Sequence, residues 1–467
     1  MAPRSPGAGI LLWGRALADR PAGARALAVD LLTRVERDRA YASILLDATL
    51  ARGALQTKEA ALLTELTYGV LRWRGTLDWL LEVVGRRRMA DLPVRLRQIL
   101  RVGAYQLRFL DRVPAYAAVS EAVALAKGPG GHQGWASLVN ALLRRLAERR
   151  DALPVPEADD VAERLALTFS HPAWLVRRWL ARFGEAEATA LLQADQAPAP
   201  TVLLVNRLRA DPPAVAVRLR ALGVGSEVSP LLPEALRVRE GGTLRHDSLV
   251  AEGHVQVMDE GAALAVALLD PRPGETILDA CAGGGNKTAR MAALMGNAGR
   301  IVALDVSERA RRRLCEACAR LGAAIVQAKA GDAREASRHV PEGADRVLVD
   351  APCTGLGTLR RHPEIRWRVP EADLARLAAL QRELLRGAAQ AVRPGGCLVY
   401  AVCSTEPEEG EAVAEAFGRV SPAFREEAPA GFPGESCSRL PGGGFRTSPH
   451  RQGCDGFYFI RWRRGTP

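Results

Sequence analysis

The chain has 467 residues, 48% of them hydrophobic and 25% charged, a composition typical of a folded protein with two to four domains. Its net charge of +11 is spread through the chain, which favours a polyanionic partner such as nucleic acid, although an arginine-rich proteome explains it equally simply. Eight cysteines are too few for a disulfide scaffold of this length, so we predict reduced thiols, a cytoplasmic protein and no metal site.

The N-terminal segment and the region after it differ in character. Residues 1–21 are rich in Pro, Gly and Ala, which predicts a disordered lead-in, and their apolar run is too short to span a membrane. Residues 22–150 carry apolar residues at helical spacing, which predicts an all-helical domain. Its arginine clusters fit contacts with a nucleic-acid backbone and solvated helix ends equally well. They are Arg86, Arg87, Arg88, Arg144, Arg145, Arg149 and Arg150.

Two further domains are predicted after a proline-containing linker at residues 151–157. A helical pattern at 174–192 and a strand pattern at 202–207 indicate a small α+β domain at residues 160–250. From 251 to 467 strand and helix patterns alternate, which predicts a Rossmann-like, doubly wound α/β domain with a mostly parallel sheet. The predicted strands lie at 276–280, 300–306, 324–328, 346–350 and 397–402, with a last, antiparallel strand at 457–460.

The turn after the first strand of the α/β domain is rich in glycine, whose missing side chain lets backbone amides approach a ligand at a helix N-terminus. The turn lacks the glycine that a P-loop has before its lysine, and Thr288 takes the last glycine position of a dinucleotide-binding motif. We therefore predict a ligand without a pyrophosphate. The turn consists of Cys281, Ala282, Gly283, Gly284, Gly285, Asn286 and Lys287.

Aspartates end the next two predicted strands. Asp305 follows the turn by about 20 residues, where a carboxylate can accept both hydroxyls of a ribose. Asp332 follows the third strand, where a carboxylate can accept a hydrogen bond from an adenine amino group. A single aspartate in such a place is more simply a helix N-cap. The glycine turn and two aspartates in this order, however, predict S-adenosylmethionine as the cofactor.

Two cysteines, Cys353 and Cys403, follow the next two predicted strands. Because the carboxyl ends of parallel strands meet at one edge of a sheet, we expect both thiols in one site. The C5 carbon of a pyrimidine is a poor nucleophile, but addition of a thiolate at C6 makes C5 an enamine carbon that can attack a sulfonium methyl. Loss of the C5 proton and elimination of the thiol complete the reaction, which needs an acid and a base. The thiols therefore indicate methylation of a pyrimidine at C5.

Several segments resemble motifs of the Sun-type RNA cytosine-5 methyltransferases. The fourth motif of that family is similar to DAPCTGLG (350–357) with RHPEIRW (361–367), and the sixth to YAVCS (400–404) with Glu408, Glu409 and Glu411. QVMDE (256–260) and HRQGCDGFY (450–458) also resemble family segments. A NusB-like domain, which one bacterial subfamily carries, is similar to ELTYGVLRW (65–73), GAYQL (103–107) and VNALLRR (139–145). The resemblance covers nearly the whole chain from residue 22.

This resemblance implies methyl transfer from S-adenosylmethionine to C5 of a cytosine in small-subunit (16S) ribosomal RNA through a covalent cysteine–C6 adduct. It implies that Cys403 is the nucleophile, that Cys353 helps to expel it from the methylated product, and that Asp350 binds both the end of the cofactor and the edge of the cytosine. It also implies RNA binding by the NusB-like and small α+β domains. We expect the protein to act as a monomer.

The chain departs from the family pattern in two motifs. The usual cofactor turn reads Cys-Ala-Ala-Pro-Gly-Gly-Lys, and here Gly284 stands in place of the proline and Asn286 in place of the second paired glycine. Asparagine tolerates the left-handed conformation better than most residues, so we predict that the turn is kept. Val402 stands where the sixth motif usually has threonine, which removes a hydroxyl beside Cys403.

Two other functions remain open at this point. The substrate RNA is alternatively another RNA, such as a transfer RNA. The NusB-like domain and the basic charge also fit a non-catalytic RNA-binding or antitermination scaffold. The presence of both cysteines together with Asp305, Asp332 and Asp350 favours an enzyme. An amino-methyltransferase is disfavoured, because it would carry Asn or Asp followed by Pro-Pro and an aromatic residue at the end of the fourth strand.

Overall fold

The computed structural model describes residues 23–53, 55–240 and 248–466, so the predicted lead-in at 1–21 lies outside the described residues. The described residues form two compact units. The first comprises those up to residue 192 together with 362–368, and the second comprises 193–361 and those from 369 onward. Among the described helices, none combines the length and the apolar character that crossing a bilayer requires.

The first unit is helical, as the apolar spacing predicted, and its leucines and valines pack into one core. The segments that resemble a NusB-like domain contribute residues to this core. A Cβ atom on Gly69 would lie 2.1 Å from the ring of Tyr105, so only glycine allows this contact. Buried Arg101 is bound by Asp78 and Glu36 at 2.7 and 2.6 Å. The helices are α1 (Ala24–Arg37), α2 (Ala42–Leu50), α3 (Thr57–Gly85), α4 (Val94–Phe109), α5 (Ala115–Lys127) and α6 (Gln133–Glu148).

Two further helices, α7 (Val161–Thr168) and α8 (Ala173–Gln196), follow the linker, and α8 is interrupted at Gly184, where φ is +76°. Residues 161–192 belong to the first unit, although we had predicted a second domain from residue 160. The side chain of Thr76 donates to the backbone carbonyl of Leu167 at 2.6 Å. An amphipathic pattern shows that a helix has an apolar face but not which unit covers it.

The segment 362–368 also belongs to the first unit, although we had predicted it within the α/β domain. Its Trp367 side chain packs so closely on α3 that a Cβ atom on Gly75 would lie 2.6 Å from the ring. Arg366 donates to the backbone carbonyl of Ser170 at 3.0 Å. Residues 362–368 therefore pack against the helices of the first unit, whereas Arg361 belongs to the second unit.

The second unit contains a four-stranded antiparallel sheet of order β2-β3-β1-β4. The sheet extends beyond residue 250, where we had predicted the small domain to end, because Val255–Val257 pairs with Thr201–Val205. A three-residue strand is too short to give a pattern in the sequence. The elements of this part are β1 (Thr201–Val205), α9 (Pro212–Ala221), β2 (Gly225–Val228), β3 (Ala235–Glu240), α10 (Ser248–Ala251) and β4 (Val255–Val257).

The second unit also contains a nine-stranded sheet with the order β11-β12-β13-β9-β8-β5-β6-β7, and β10 pairs with β13. Its strands are β5 (Thr276–Asp279), β6 (Arg300–Asp305), β7 (Val326–Ala330), β8 (Ala344–Asp350), β9 (Val392–Val402), β10 (Phe424–Glu426), β11 (Ser438–Arg439), β12 (Phe445–Arg446) and β13 (Tyr458–Arg464). Strands β5 to β9 run parallel, and β13 pairs antiparallel with β9. The prediction of a Rossmann-like, mostly parallel sheet is confirmed.

Five helices accompany this sheet, and their apolar faces and both faces of the central strands form two buried clusters. They are α11 (Glu260–Leu269), α12 (Asn286–Leu294), α13 (Glu308–Leu321), α14 (Ala372–Gln390) and α15 (Glu411–Val420). Central strands that are covered on both faces read as continuous apolar runs, which is why the sequence revealed them. The carboxyl ends of β5, β6, β8 and β9 consequently meet at one edge.

Candidate active site

The two cysteines predicted to share a site lie beside each other. Strands β8 and β9 pair in a register that sets Asp350 opposite Ala401, so the segments after them leave the sheet together. The Sγ atoms of Cys353 and Cys403 are 3.3 Å apart. The backbone carbonyl of Cys403 also accepts a hydrogen bond from the amide of Gly357 at 3.0 Å. The structure therefore brings both thiols to one point at the sheet edge.

The two sulfur atoms differ in their surroundings. The hydrogen bond that Cys353 donates to the sulfur of Cys403 and burial together hold the pKa of Cys353 well above its ordinary value, and the carboxylate of Glu409 acts in the same direction. A thiol in such a place keeps its proton and can donate it to the neighbouring sulfur. The surroundings of Cys353 therefore favour its protonated form.

A partly buried ion pair lies at the same edge. The Nζ atom of Lys287 is 2.5 Å from Oδ2 of Asp350, and the ring centroid of Phe457 is 5.5 Å from the same nitrogen. Burial tends to lower the pKa of Lys287, but the Asp350 carboxylate outweighs it, and a negative charge on Cys403 adds to that effect, so the pKa is raised. Lys287 is therefore a fixed positive charge within electrostatic reach of Cys403.

The loop before β13 closes against the loop after β8. The amide of Gly456 donates to the carbonyl of Gly357 at 2.7 Å, and a Cβ atom on Gly357 would lie 1.8 Å from the carbonyl oxygen of Gly456. Arg361 binds Asp259 at 2.6 Å and Asp455 at 2.8 Å. The resembling segments at 256–260 and 450–458 thus hold the walls of the site.

The glycine turn runs from the end of β5 into α12. Its left-handed residues are Gly283, with φ of +55°, and Gly285, with φ of +83°. A Cβ atom on Gly285 would also lie 3.0 Å from the Cα atom of Leu314. The expected left-handed conformation at Asn286 is wrong, because Asn286 is already the first residue of α12. The position where the chain departs from the family pattern therefore requires no glycine.

Asp305 lies against this turn, whereas Asp332 lies further along the sheet edge. One carboxylate oxygen of Asp305 accepts from the amide of Gly283 at 2.9 Å. Asp332 caps the short helix after β7 by accepting from the amide of Arg334, whose guanidinium also binds it at 2.7 Å and lowers its pKa. Asp332 is thus a helix N-cap, and about a third of its side chain is exposed to solvent.

The turn also contains a half-buried thiol, that of Cys281. Burial and the nearby Asp279 raise the pKa of Cys281, so this thiol stays protonated. The amide of Ala282 donates to the carbonyl of Leu304 at 2.9 Å, which fixes the turn to β6. A Cβ atom on Gly284 would meet no atom within 4 Å, which leaves open space over the turn.

Comparison with known proteins identifies the family of this chain. Residues 266–463 match the family model described as 16S rRNA methyltransferase RsmB/F. Residues 22–148 match the NusB family, and residues 171–245 match the ferredoxin-like domain of RsmF/B-like methyltransferases. A Bacillus subtilis protein named "Probable ribosomal RNA small subunit methyltransferase B" is 35% identical, over 94% of this chain and 98% of its own. The chain belongs to the RsmB/F methyltransferase family.

Two further comparisons agree with membership in the RsmB/F family. The ribosomal RNA small subunit methyltransferase B of Thermus thermophilus is 38% identical over 94% of this chain and 97% of its own. The crystal structure of the protein PH0851 superposes with a TM-score of 0.82 at 28% identity and covers 95% of this chain and 99% of its own. The resemblance to Sun-type methyltransferases with a NusB-like domain is confirmed.

Sequence reasoning missed one buried acid of this RsmB/F-family chain. Asp279, the last residue of β5, accepts from the hydroxyl of Thr288 at 2.7 Å through Oδ2. Its Oδ1 atom is buried and has no hydrogen-bond partner within the described part of the chain. Burial, with Asp350 nearby, raises the pKa of Asp279 from 3.8 to about 7. An acid directly before a glycine turn was the available signal.

The raised pKa of Asp279 predicts a pH-dependent stability. Between pH 4 and pH 7 the folded state holds a proton that the unfolded state has lost, so the free energy of unfolding falls as the pH rises. Since one pKa unit corresponds to about 1.4 kcal/mol, the upper limit is on the order of 4 kcal/mol. We expect Asp279→Asn to flatten this slope in urea denaturation at pH 5 and pH 8. Equal slopes in the two proteins would contradict the raised pKa.

Proposed function

We propose that this chain transfers a methyl group from S-adenosylmethionine to C5 of a cytosine in small-subunit ribosomal RNA through a covalent bond between Cys403 and C6. The proposal depends chiefly on the 3.3 Å separation of the Cys353 and Cys403 sulfur atoms at the ends of two neighbouring parallel strands. The Thermus thermophilus relative, which is named a ribosomal RNA small subunit methyltransferase, supports the choice of RNA.

The glycine turn and its acids fit S-adenosylmethionine. The left-handed Gly283 and the space over Gly284 let an adenosyl group approach the backbone, and the Asp305 carboxylate at the turn can accept ribose hydroxyls. When bound there, the cofactor supplies an electrophilic methyl. Asp332 would hold the adenine amino group, and the remaining predicted contacts come from the turn. These are Cys281, Ala282, Gly283, Gly284, Gly285, Asn286 and Lys287.

The first step is addition of the Cys403 sulfur to C6 of the cytosine. A thiolate is the nucleophilic form of cysteine, and a nearby cation favours it. Lys287 would supply that cation for Cys403. Asp350 keeps Oδ2 on Lys287, while its Oδ1 atom has no protein donor among the described residues and can meet the N3 and amino edge of the base. Addition at C6 moves electron density to C5, which would then take the methyl group that the bound cofactor supplies, with the sulfonium leaving as a neutral thioether.

The second step releases the product. The proton on C5 leaves to a base, the electron pair of the C5–H bond restores the C5–C6 double bond, and the C6–sulfur bond breaks. Cys353 keeps its proton beside the departing sulfur and can hand that proton to it as the bond breaks. Cys403 therefore attacks C6 of the cytosine, and Cys353 assists release of the methylated product.

The remaining domains would bind the RNA. We assign this part to the helical domain at 22–150 and to the small domain built on the four-stranded sheet, and methyl transfer to the domain built on the nine-stranded sheet. Six of the seven singled-out arginines are exposed, as phosphate contacts require. These are Arg86, Arg87, Arg88, Arg144, Arg145 and Arg149. We propose a monomer in the cytoplasm, where the reduced thiols that the reaction needs persist.

Bisulfite sequencing of ribosomal RNA from a deletion strain tests the proposal. We expect one 5-methylcytosine of the small subunit to be lost and to return when the wild-type gene is restored, but not when the restored gene carries Cys403→Ala. Loss of a 5-methylcytosine from transfer RNA alone would correct the substrate. An unchanged methylation pattern in all RNA would point to the non-catalytic scaffold.

A further inference from the structure

A buried carboxylate lies behind the two cysteines and has no part in the steps above. Glu409 follows β9 and is completely buried. Its Oε1 atom accepts from the backbone amide of Thr354 at 2.8 Å and from the side-chain amide of Gln381 at 3.1 Å. Its Oε2 atom accepts from the hydroxyls of Thr354 at 2.5 Å and Ser404 at 2.6 Å. One carboxylate thus receives four hydrogen bonds.

The positions of these donors in the chain matter. Thr354 directly follows Cys353, and Ser404 directly follows Cys403. The two segments belong to different strands, and the hydroxyls of Thr354 and Ser404 are themselves 3.3 Å apart. The Glu409 carboxylate therefore joins both cysteine-bearing loops one residue beyond each thiol.

The carboxylate itself is held firmly in place. The hydroxyl of Tyr400 donates to the backbone carbonyl of Glu409 at 2.5 Å, and the amide of Glu409 donates to the carbonyl of Glu406 at 3.2 Å. Gln381 on α14 extends the network, because it also donates to the carbonyl of Pro352 at 3.0 Å. Because the backbone of Glu409 is fixed and both of its carboxylate oxygens are bound, it can hold the two cysteine-bearing loops at a set distance from each other.

Burying the Glu409 carboxylate costs free energy of hydration, so the network is not explained by a gain in stability. Burial raises the pKa of Glu409 despite its hydrogen bonds to Ser404 and Thr354, so the charged form is held at the expense of hydration. None of its four described hydrogen-bond donors is a cation. Buried carboxyl groups of this kind are found where a precise arrangement is required.

We propose that Glu409 is a positioning residue that sets the spacing of the Cys353 and Cys403 sulfur atoms, and thereby the rate at which Cys353 assists release of the adduct on Cys403. The part about release depends on the proposed function. The part about spacing does not, since it concerns the protein without RNA or cofactor. The two parts can therefore fail separately.

The spacing is measured in the protein alone with diamide, an azo oxidant. Both thiol hydrogens pass to its nitrogen–nitrogen double bond while the two sulfur atoms join, so the rate of disulfide formation reports how often the thiols meet. We expect Glu409→Ala to slow formation of the Cys353–Cys403 disulfide at least tenfold by peptide mapping. Glu409→Gln, which keeps an oxygen for Thr354 and a polar group for Ser404, should stay within threefold of the wild-type rate.

Glu415→Ala is the matched control, because Glu415 lies on the neighbouring α15 with an exposed side chain that pairs with Arg419. It should leave the disulfide rate unchanged. A wild-type rate in Glu409→Ala would overturn the proposal. If Glu409→Ala does not fold, Ser404→Ala decides instead: it cuts the connection to the Cys403 loop alone, and a wild-type rate there would equally overturn the proposal.

The catalytic part is tested with RNA. We expect Glu409→Ala to lower kcat at least tenfold with the KM for RNA and for S-adenosylmethionine unchanged, and to raise the fraction of protein held as covalent adduct. Rescue of kcat in Glu409→Gln would support positioning. An unchanged kcat in Glu409→Ala would overturn the link to release. Absence of methyl transfer in the wild-type protein, with the disulfide result intact, would refute only the proposed function.

Discussion

Cys403→Ala is expected to abolish methyl transfer, whereas Cys353→Ala should accumulate protein covalently joined to RNA. Loss of a catalytic nucleophile typically costs on the order of a millionfold in kcat. Without Cys353, the sulfur of Cys403 can still add to C6, but the protonated thiol 3.3 Å away that assists its departure is missing. A denaturing gel with labelled RNA and S-adenosylmethionine should therefore show a slowly migrating band for Cys353→Ala and none for Cys403→Ala.

Cys315→Ala is the control for both variants, because Cys315 is an exposed cysteine of the same domain. It should methylate RNA at the wild-type rate and form no lasting adduct. If the band appears with Cys403→Ala and disappears with Cys353→Ala, the two cysteines have exchanged parts. If neither variant forms a band and both methylate RNA, covalent catalysis by this pair is refuted.

The sequence predicted the position of the thiols for a simple physical reason. Strands β8 and β9 are buried on both faces, so they appear as unbroken apolar runs, and residues just beyond two parallel runs must meet at one edge. Asp350 and Cys403 could thus be placed without coordinates. The register that brings Cys353 within 3.3 Å of Cys403 depends on pairing between strands, which the sequence does not show.

Other features escaped prediction because they depend on contacts between distant parts of the chain. Glu409 appeared only as a residue of a resembling motif, since its four donors come from three separate segments. The segment 362–368 looks like a continuation of the fourth motif, yet it packs in the first unit. Asn286 seemed to occupy a glycine position, but the positive φ angles fall on Gly283 and Gly285.

Lys287→Met is expected to impair both stability and catalysis. The variant leaves the Asp350 carboxylate without the ammonium that now lies 2.5 Å from it. Breaking a fully buried pair costs about 3–5 kcal/mol, and because Asp350 keeps some solvent contact we expect a loss of about 1–3 kcal/mol in the free energy of unfolding. Methyl transfer should fall at least about a hundredfold, since a positive charge beside Cys403 favours the thiolate.

The double variant Lys287→Met with Asp350→Asn separates these two effects. It removes both charges, so most of the lost stability should return, whereas methyl transfer should not. Alkylation of Cys403 by iodoacetamide, followed by peptide mapping, reports the thiolate directly and should be slower in both variants. The control is Lys329→Met, which changes a half-buried lysine of β7. In this variant Cys403 should be alkylated at the wild-type rate. Wild-type alkylation of Cys403 in Lys287→Met would mean that Lys287 serves only to hold Asp350.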